Sequence, residues 1–201
     1  MKRECYEGMF RDCTSLGSAP ELLATTLAES CCSNMFSGCT SLTNVHKLPA
    51  MTLASDCYSY MFNGCTSLTV APELPATELA DDSYGCMFYG CTSLTTAPEL
   101  PATTLAFECY GCMFYGCTSL TTAPELPATT LANNCYLAMF YDCSKLNSVI
   151  IKATSAPYNA LKDWLWGVAS SGTIHKRTEL SLPANSDSGI PKGWTAVNDV
   201  E

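Results

Sequence analysis

Charge is scarce in this chain: Asp, Glu, Lys and Arg make up 14% of its 201 residues, against roughly 25% in ordinary soluble domains. Positive charge is scarcer still, with ten Lys and Arg against nineteen Asp and Glu and a formal net charge of -9. That sign opposes nucleic-acid phosphates and anionic headgroups, so neither nucleic acid nor a charged membrane surface is expected as a partner. No run of eighteen apolar residues occurs, which excludes a spanning helix. Histidine is limited to His46 and His175, which leaves a Ser-His-Asp hydrolase or a histidine-bearing zinc site without support. After Met1-Lys2-Arg3-Glu4-Cys5 come Tyr, Glu and Gly rather than an apolar stretch, so no signal peptide is read in this chain.

What is present is a repeat. Met-Phe recurs at 9, 35, 61, 87, 113 and 139, always 26 residues apart. The most regular unit reads MFYGCTSLTTAPELPATTLAFECYGC from Met87 to Cys112. An uninterrupted period of this length points to units stacked in register, each burying the apolar face of its neighbour. Leucine stands at 16, 42, 68, 94, 120 and 146, and again at 22, 48, 74, 100 and 126. The segment between these leucines, closed by Pro49, Pro75, Pro101 and Pro127, reads as a short strand that must pair with its copy in the next unit at about 4.8 Å. Val149-Ile150-Ile151 is the plainest strand of the set.

The other half of the unit reads as a helix. Leu79, Ser83 and Met87 are spaced by four, as are Ala80, Tyr84 and Phe88, which sets two ridges on one apolar face. Thr103 and Thr104 stand where an N-cap belongs, and Gly38, Gly64, Gly90 and Gly116 where a C-terminal glycine belongs. The expected order is strand, turn, helix, turn.

The pattern Met-Phe-x-Gly-Cys-Thr-Ser-Leu followed by a short strand resembles the leucine-rich repeats of the BspA-like family of bacterial surface proteins, over residues 5 to 152 or so. This resemblance implies an α/β fold: a right-handed leucine-rich-repeat solenoid of six 26-residue repeats with a C-terminal cap. It also implies export and display outside the cell or at its surface. The expected domains are the solenoid, 1–152, and a capping segment, 153–201. Within that segment Ser155 to Val168 reads as a helix with Ser155 as N-cap and Leu161, Trp164, Leu165 and Val168 on one face. Met1 enters in mid-repeat, so either the first unit caps the stack or an upstream portion precedes it.

Three columns carry candidate chemistry. Cysteines stand at 13, 39, 65, 91, 117 and 143 and at 5, 31, 57, 109 and 135, with Ser83 in the remaining place and Cys32, Cys86 and Cys112 outside both columns. They read as small buried hydrophobes, with disulfides between columns or metal ligation as the alternatives. The Cys109-Tyr-Gly-Cys112 motif lacks the second pair that zinc requires. Carboxylates stand at Glu21, Glu73, Glu99 and Glu125. From Leu48 to Ser144 there are nine acids and no Lys or Arg, which reads either as a solvated face or as a surface for a basic partner. Tyr89, Tyr115 and Tyr141 form a third column suited to a sugar ring or a protein partner, or to packing on one another.

The ligand-binding candidates are therefore Glu73, Glu99, Glu125, Tyr89, Tyr115 and Tyr141, with no catalytic or metal residue and no cofactor. The expected function is non-enzymatic: a surface recognition or adhesion protein that binds a protein ligand. A carbohydrate-binding module and a structural spacer are the alternatives.

Overall fold

A computed structural model describes residues 1–157 and 159–201. Backbone hydrogen bonding shows why the repeat is so strict. In the Met-Phe half of each unit alternate N–H groups go to different places. Those of Ser33, Met35, Ser37 and Cys39 turn back to the carbonyls of Ser30, Cys32, Asn34 and Phe36. Those between them, of Cys32, Asn34, Phe36 and Gly38, cross to Cys57, Ser59, Met61 and Asn63 of the next unit at 2.7–3.1 Å. The same alternation recurs from unit to unit through Asp142, which donates to Trp166. Half the donors of every unit are thus spent on its neighbour, which fixes the register.

This arrangement corrects the helix expectation. No helix forms among the described residues, and the half-unit is a ribbon of overlapping β-turns. Every fourth residue has positive φ: Ser30, Asn34 and Gly38, then Asp56, Tyr60 and Gly64, then Asp82, Cys86 and Gly90, onward to Asn134, Ala138 and Asp142. A left-handed residue at the third place of every second turn is incompatible with an α-helix. The period of four read from Leu79, Ser83 and Met87 belongs to this ribbon. The glycine of each unit is held at φ near 70° with its neighbour's backbone close by: a Cβ on Gly116 would lie 3.8 Å from Gly90 Cα.

The strand half is more broken than expected. Parallel pairing is limited to single bridges such as Val70↔Thr96 and Thr122↔Ser148, with a second line at Thr52↔Glu78 and Glu78↔Thr104. Between Thr122↔Ser148 and Leu126↔Ile151 the offset falls from 26 to 25 residues, so the Pro124-Glu125 segment bulges out of the ladder. Proline supplies no N–H to pair.

Continuous strands form only at the C-terminal end. Strand β1 (Ser148–Ile151) pairs in parallel with β2 (Gly172–Lys176), and β2 with β3 (Trp194–Asn198), giving the order β1-β2-β3. The segment expected as a capping helix instead continues the turn ribbon. Asp163 and Gly167 have φ of 56° and 72°, and Tyr136, Ala138, Phe140 and Asp142 donate to the carbonyls of Ala160, Lys162, Trp164 and Trp166. Ser155, the expected N-cap, bridges to Thr130; Tyr158 of the same expected helix lies outside the described residues.

Side chains of equivalent residues stack through the interior. Phe10, Phe36, Phe62, Phe88, Phe114 and Phe140 form one ladder with ring centroids 5.5–5.7 Å apart. Tyr58, Tyr84, Tyr110 and Tyr136 form a second at 5.7–6.0 Å. Trp164 follows Phe140 in the backbone register and is fully buried.

The cysteine columns now have a physical reading. The Sγ–H groups of Cys39, Cys65, Cys91, Cys117 and Cys143 donate to the carbonyls of Phe10, Phe36, Phe62, Phe88 and Phe114 at 3.0–3.2 Å. Burial pushes the thiols of Cys57, Cys65, Cys109, Cys135 and Cys143 up to about 12, so they are protonated, inert fillers. Where Ser83 replaces cysteine, its hydroxyl is buried without a hydrogen-bond partner.

Candidate functional site

The bulged Pro-Glu segments create the most distinctive relief on the surface. Between the segments of Glu73 and Glu99 lies a groove of about 580 Å³, walled by Pro72, Pro75, Pro98 and Pro101. The next, of about 440 Å³, lies between the segments of Glu99 and Glu125 and is walled by Pro98, Pro101, Pro124 and Pro127. The leucines beside them, Leu74, Leu100 and Leu126, point into the core and are at most 4% exposed. The alternation is therefore simple: leucine anchors the segment, while proline and glutamate are left at its surface. Proline lends each groove a stiff apolar wall, and the exposed glutamate a charge.

All three predicted glutamates belong to these grooves, and Glu99 lines both. They are not equivalent. Lys152 Nζ lies 2.6 Å from Glu125 Oε1, so the final carboxylate already has a cation. Glu73 and Glu99 have no ion-pair partner among the described residues.

The tyrosines occupy a different place, since none of the three lines either groove. Tyr89, Tyr115 and Tyr141 stack face to face, with centroids 4.5 Å apart and ring planes within 9°. Trp166 extends the stack, its ring 6.3 Å from Tyr141. Such stacking covers the ring faces, and the tyrosines present mainly edges and hydroxyls to solvent. Trp166, 53% exposed, ends the row beside a cleft of about 540 Å³ that also takes in Asn185, Asp187 and Lys192.

A second acidic column escaped the sequence reading, although its 26-residue spacing was visible: Asp56, Asp82 and Glu108, all at left-handed turn positions. Burial, helped by Glu108, Asp56 and Asp81, raises the Asp82 carboxyl to about 6. Burial and the charges of Glu29 and Asp81 raise Asp56 as well. The tyrosine-to-Trp166 stack was also missed, because Trp166 follows Tyr141 by 25 residues rather than 26.

No protein-family model matches the chain, and neither a curated protein nor a solved structure shows significant similarity to it.

Proposed function

We propose that the protein is a non-enzymatic recognition protein, a solenoid of leucine-rich-repeat type that takes a basic protein ligand along its Pro-Glu grooves. The resemblance of its Met-Phe-x-Gly-Cys-Thr-Ser-Leu units to BspA-like proteins supports display at a bacterial surface. One observation carries the binding reading: two consecutive grooves share Glu99, in a stretch from Leu48 to Ser144 that contains no Lys or Arg. The Lys152–Glu125 pair shows the kind of group that satisfies the row from within the chain. A ligand with lysine or arginine at intervals of one unit would extend that pairing to Glu99 and Glu73, with aliphatic stems lying on the proline walls.

The test is binding of lysine- and arginine-rich polypeptides to immobilised protein at low and high salt. Exchanging Glu73, Glu99 and Glu125 together for Gln should weaken binding about tenfold or more and flatten its salt dependence. Binding that the triple exchange leaves unchanged would remove the grooves from the function.

The carbohydrate reading is supported by a different residue from those first expected. The tyrosine faces are used in the stack, so Trp166 is the ring better placed to receive a sugar. Loss of glycan retention in Trp166→Ala but not in Tyr115→Ala would favour this reading over the acidic grooves.

A further inference from the structure

Cys86 and Cys112 do not fit the account given for the other cysteines. They sit at equivalent places in consecutive units, 26 residues apart, with the Cys86 N–H bonded to the Gly111 carbonyl at 2.8 Å. Both adopt left-handed backbone geometry, φ 53° and 52°, which is costly for a residue other than glycine, asparagine or aspartate. Neither packs in the core: both are partly exposed, whereas ten other cysteines are buried. Local geometry does not favour cysteine here and the interior does not use it, yet it occurs twice in succession.

We propose that Cys86 and Cys112 form a reversible disulfide that ties one unit to the next. Stacked units place equivalent backbone atoms about 4.8 Å apart, within the Cα separation of about 4.4–6.8 Å that a disulfide spans. Cys86 is the attacking thiol. Its neighbour Cys112, as hydrogen-bond donor, holds the Cys86 thiol below its usual range against the opposing effect of burial, with help from the Tyr60 hydroxyl and opposition from Asp82 and Glu108. Cys112 is held up, first by that same contact with Cys86, and so it resolves second.

With hydrogen peroxide as oxidant, the Cys86 thiolate attacks one peroxide oxygen and the O–O bond breaks. The departing hydroxide takes a proton and leaves as water, and Cys86 carries S–OH. With the Cys86 thiolate gone, Cys112 loses its proton and attacks Cys86 Sγ. The S–O bond breaks, and the departing hydroxide takes the Cys112 proton as a second water. Two thiols and one peroxide yield one disulfide and two waters, and a dithiol reductant reverses the change.

The experiment uses the full chain carrying Cys5→Ser and Cys13→Ser, which removes the two exposed thiols. After brief peroxide treatment and alkylation, cleavage at glutamate separates Cys86 from Cys112, because Glu99 and Glu108 lie between them. The expected result is a linked Cys86–Cys112 peptide, two hydrogen atoms lighter than the sum of its parts and abolished by dithiothreitol. Cys112→Ser should instead accumulate Cys86 sulfenic acid that dimedone traps, and Cys86→Ser should give neither product. A Cys86 that stays reduced, that proceeds to sulfinic acid while Cys112 remains free, or that links to another cysteine would overturn the proposal.

Discussion

The repeated units and the last fifty residues share one turn ribbon but differ on the opposite face. Where the sequence reads Ala-Pro-Glu-Leu-Pro, pairing shrinks to isolated bridges and open grooves remain. Ser148-Val-Ile-Ile151, Gly172-Thr-Ile-His-Lys176 and Trp194-Thr-Ala-Val-Asn198 carry no proline, and there a continuous three-stranded parallel sheet forms. The charge divides in the same way. Residues 1–151 hold five bases and fourteen acids, a net of -9, while 152–201 hold five of each, a net of zero. Proline and glutamate therefore act together, one denying the face its hydrogen bonds and the other charging it. The sheet closes the end of the stack, whereas the open face is left for a ligand.

The sharpest way to break this comparison is to ask whether the two regions are one folding unit. Trp164 is fully buried, follows Phe140 in the ribbon, and donates its Nε1–H to the Gly189 carbonyl at 3.1 Å. Trp164→Ala should cost about 3–5 kcal/mol, as other large-to-small changes at buried aromatics do, and should lower the urea midpoint of the whole chain in a single transition. A separate early transition confined to residues after 152 would show that the C-terminal region stands apart from the repeats.

How much of this was legible in the sequence depends on the kind of signal. The stacking register was legible, because a 26-residue spacing of Phe, Cys and Leu leaves few other arrangements. The turn ribbon was not: over eight residues a period of four and a period of 3.6 select the same side chains, as Leu79, Ser83 and Met87 did. The distinguishing sign lay at the outward positions. Asn34, Asp56, Asp82 and Asn134 with Gly38, Gly64, Gly90 and Gly116 put residues tolerant of left-handed geometry every fourth place. After residue 152 the register shortens, so Trp164 and Gly167 were read as parts of a helix although they occupy the Phe and Gly columns. The glutamate row could be read from spacing alone. Its neutralisation by Lys152 could not, since that contact depends on the one-residue change of register at Leu126↔Ile151.

Within the repeats, Ser83 offers a comparison between two chemistries at one position. Its hydroxyl is buried and unpaired, while Cys31, Cys57, Cys109 and Cys135 fill the equivalent place with a thiol that requires little solvation. An unsatisfied buried hydroxyl costs about 1–3 kcal/mol. Ser83→Cys should therefore raise stability by about 1–2 kcal/mol in urea denaturation under reducing conditions. A neutral or destabilising result would mean that cysteine is not chosen there for its tolerance of burial.

The smallest effect belongs to the acidic turn column, which has no counterpart after residue 152. Asp82 binds its proton more tightly in the folded chain, near pH 6, than at its ordinary value of 3.8. Between those values the folded state holds more protons than the unfolded one, so stability falls as pH rises, and the penalty is complete above pH 6. Asp82 is only partly buried, and solvent screening leaves about 1 kcal/mol or less of this penalty at neutral pH. Asp82→Asn should recover that amount at pH 7 and leave stability at pH 4 almost unchanged, as read from urea midpoints at the two values. Equal gains at both would trace the effect to turn conformation, since asparagine tolerates left-handed geometry well, rather than to the crowding of Asp56, Asp82 and Glu108 along the stack.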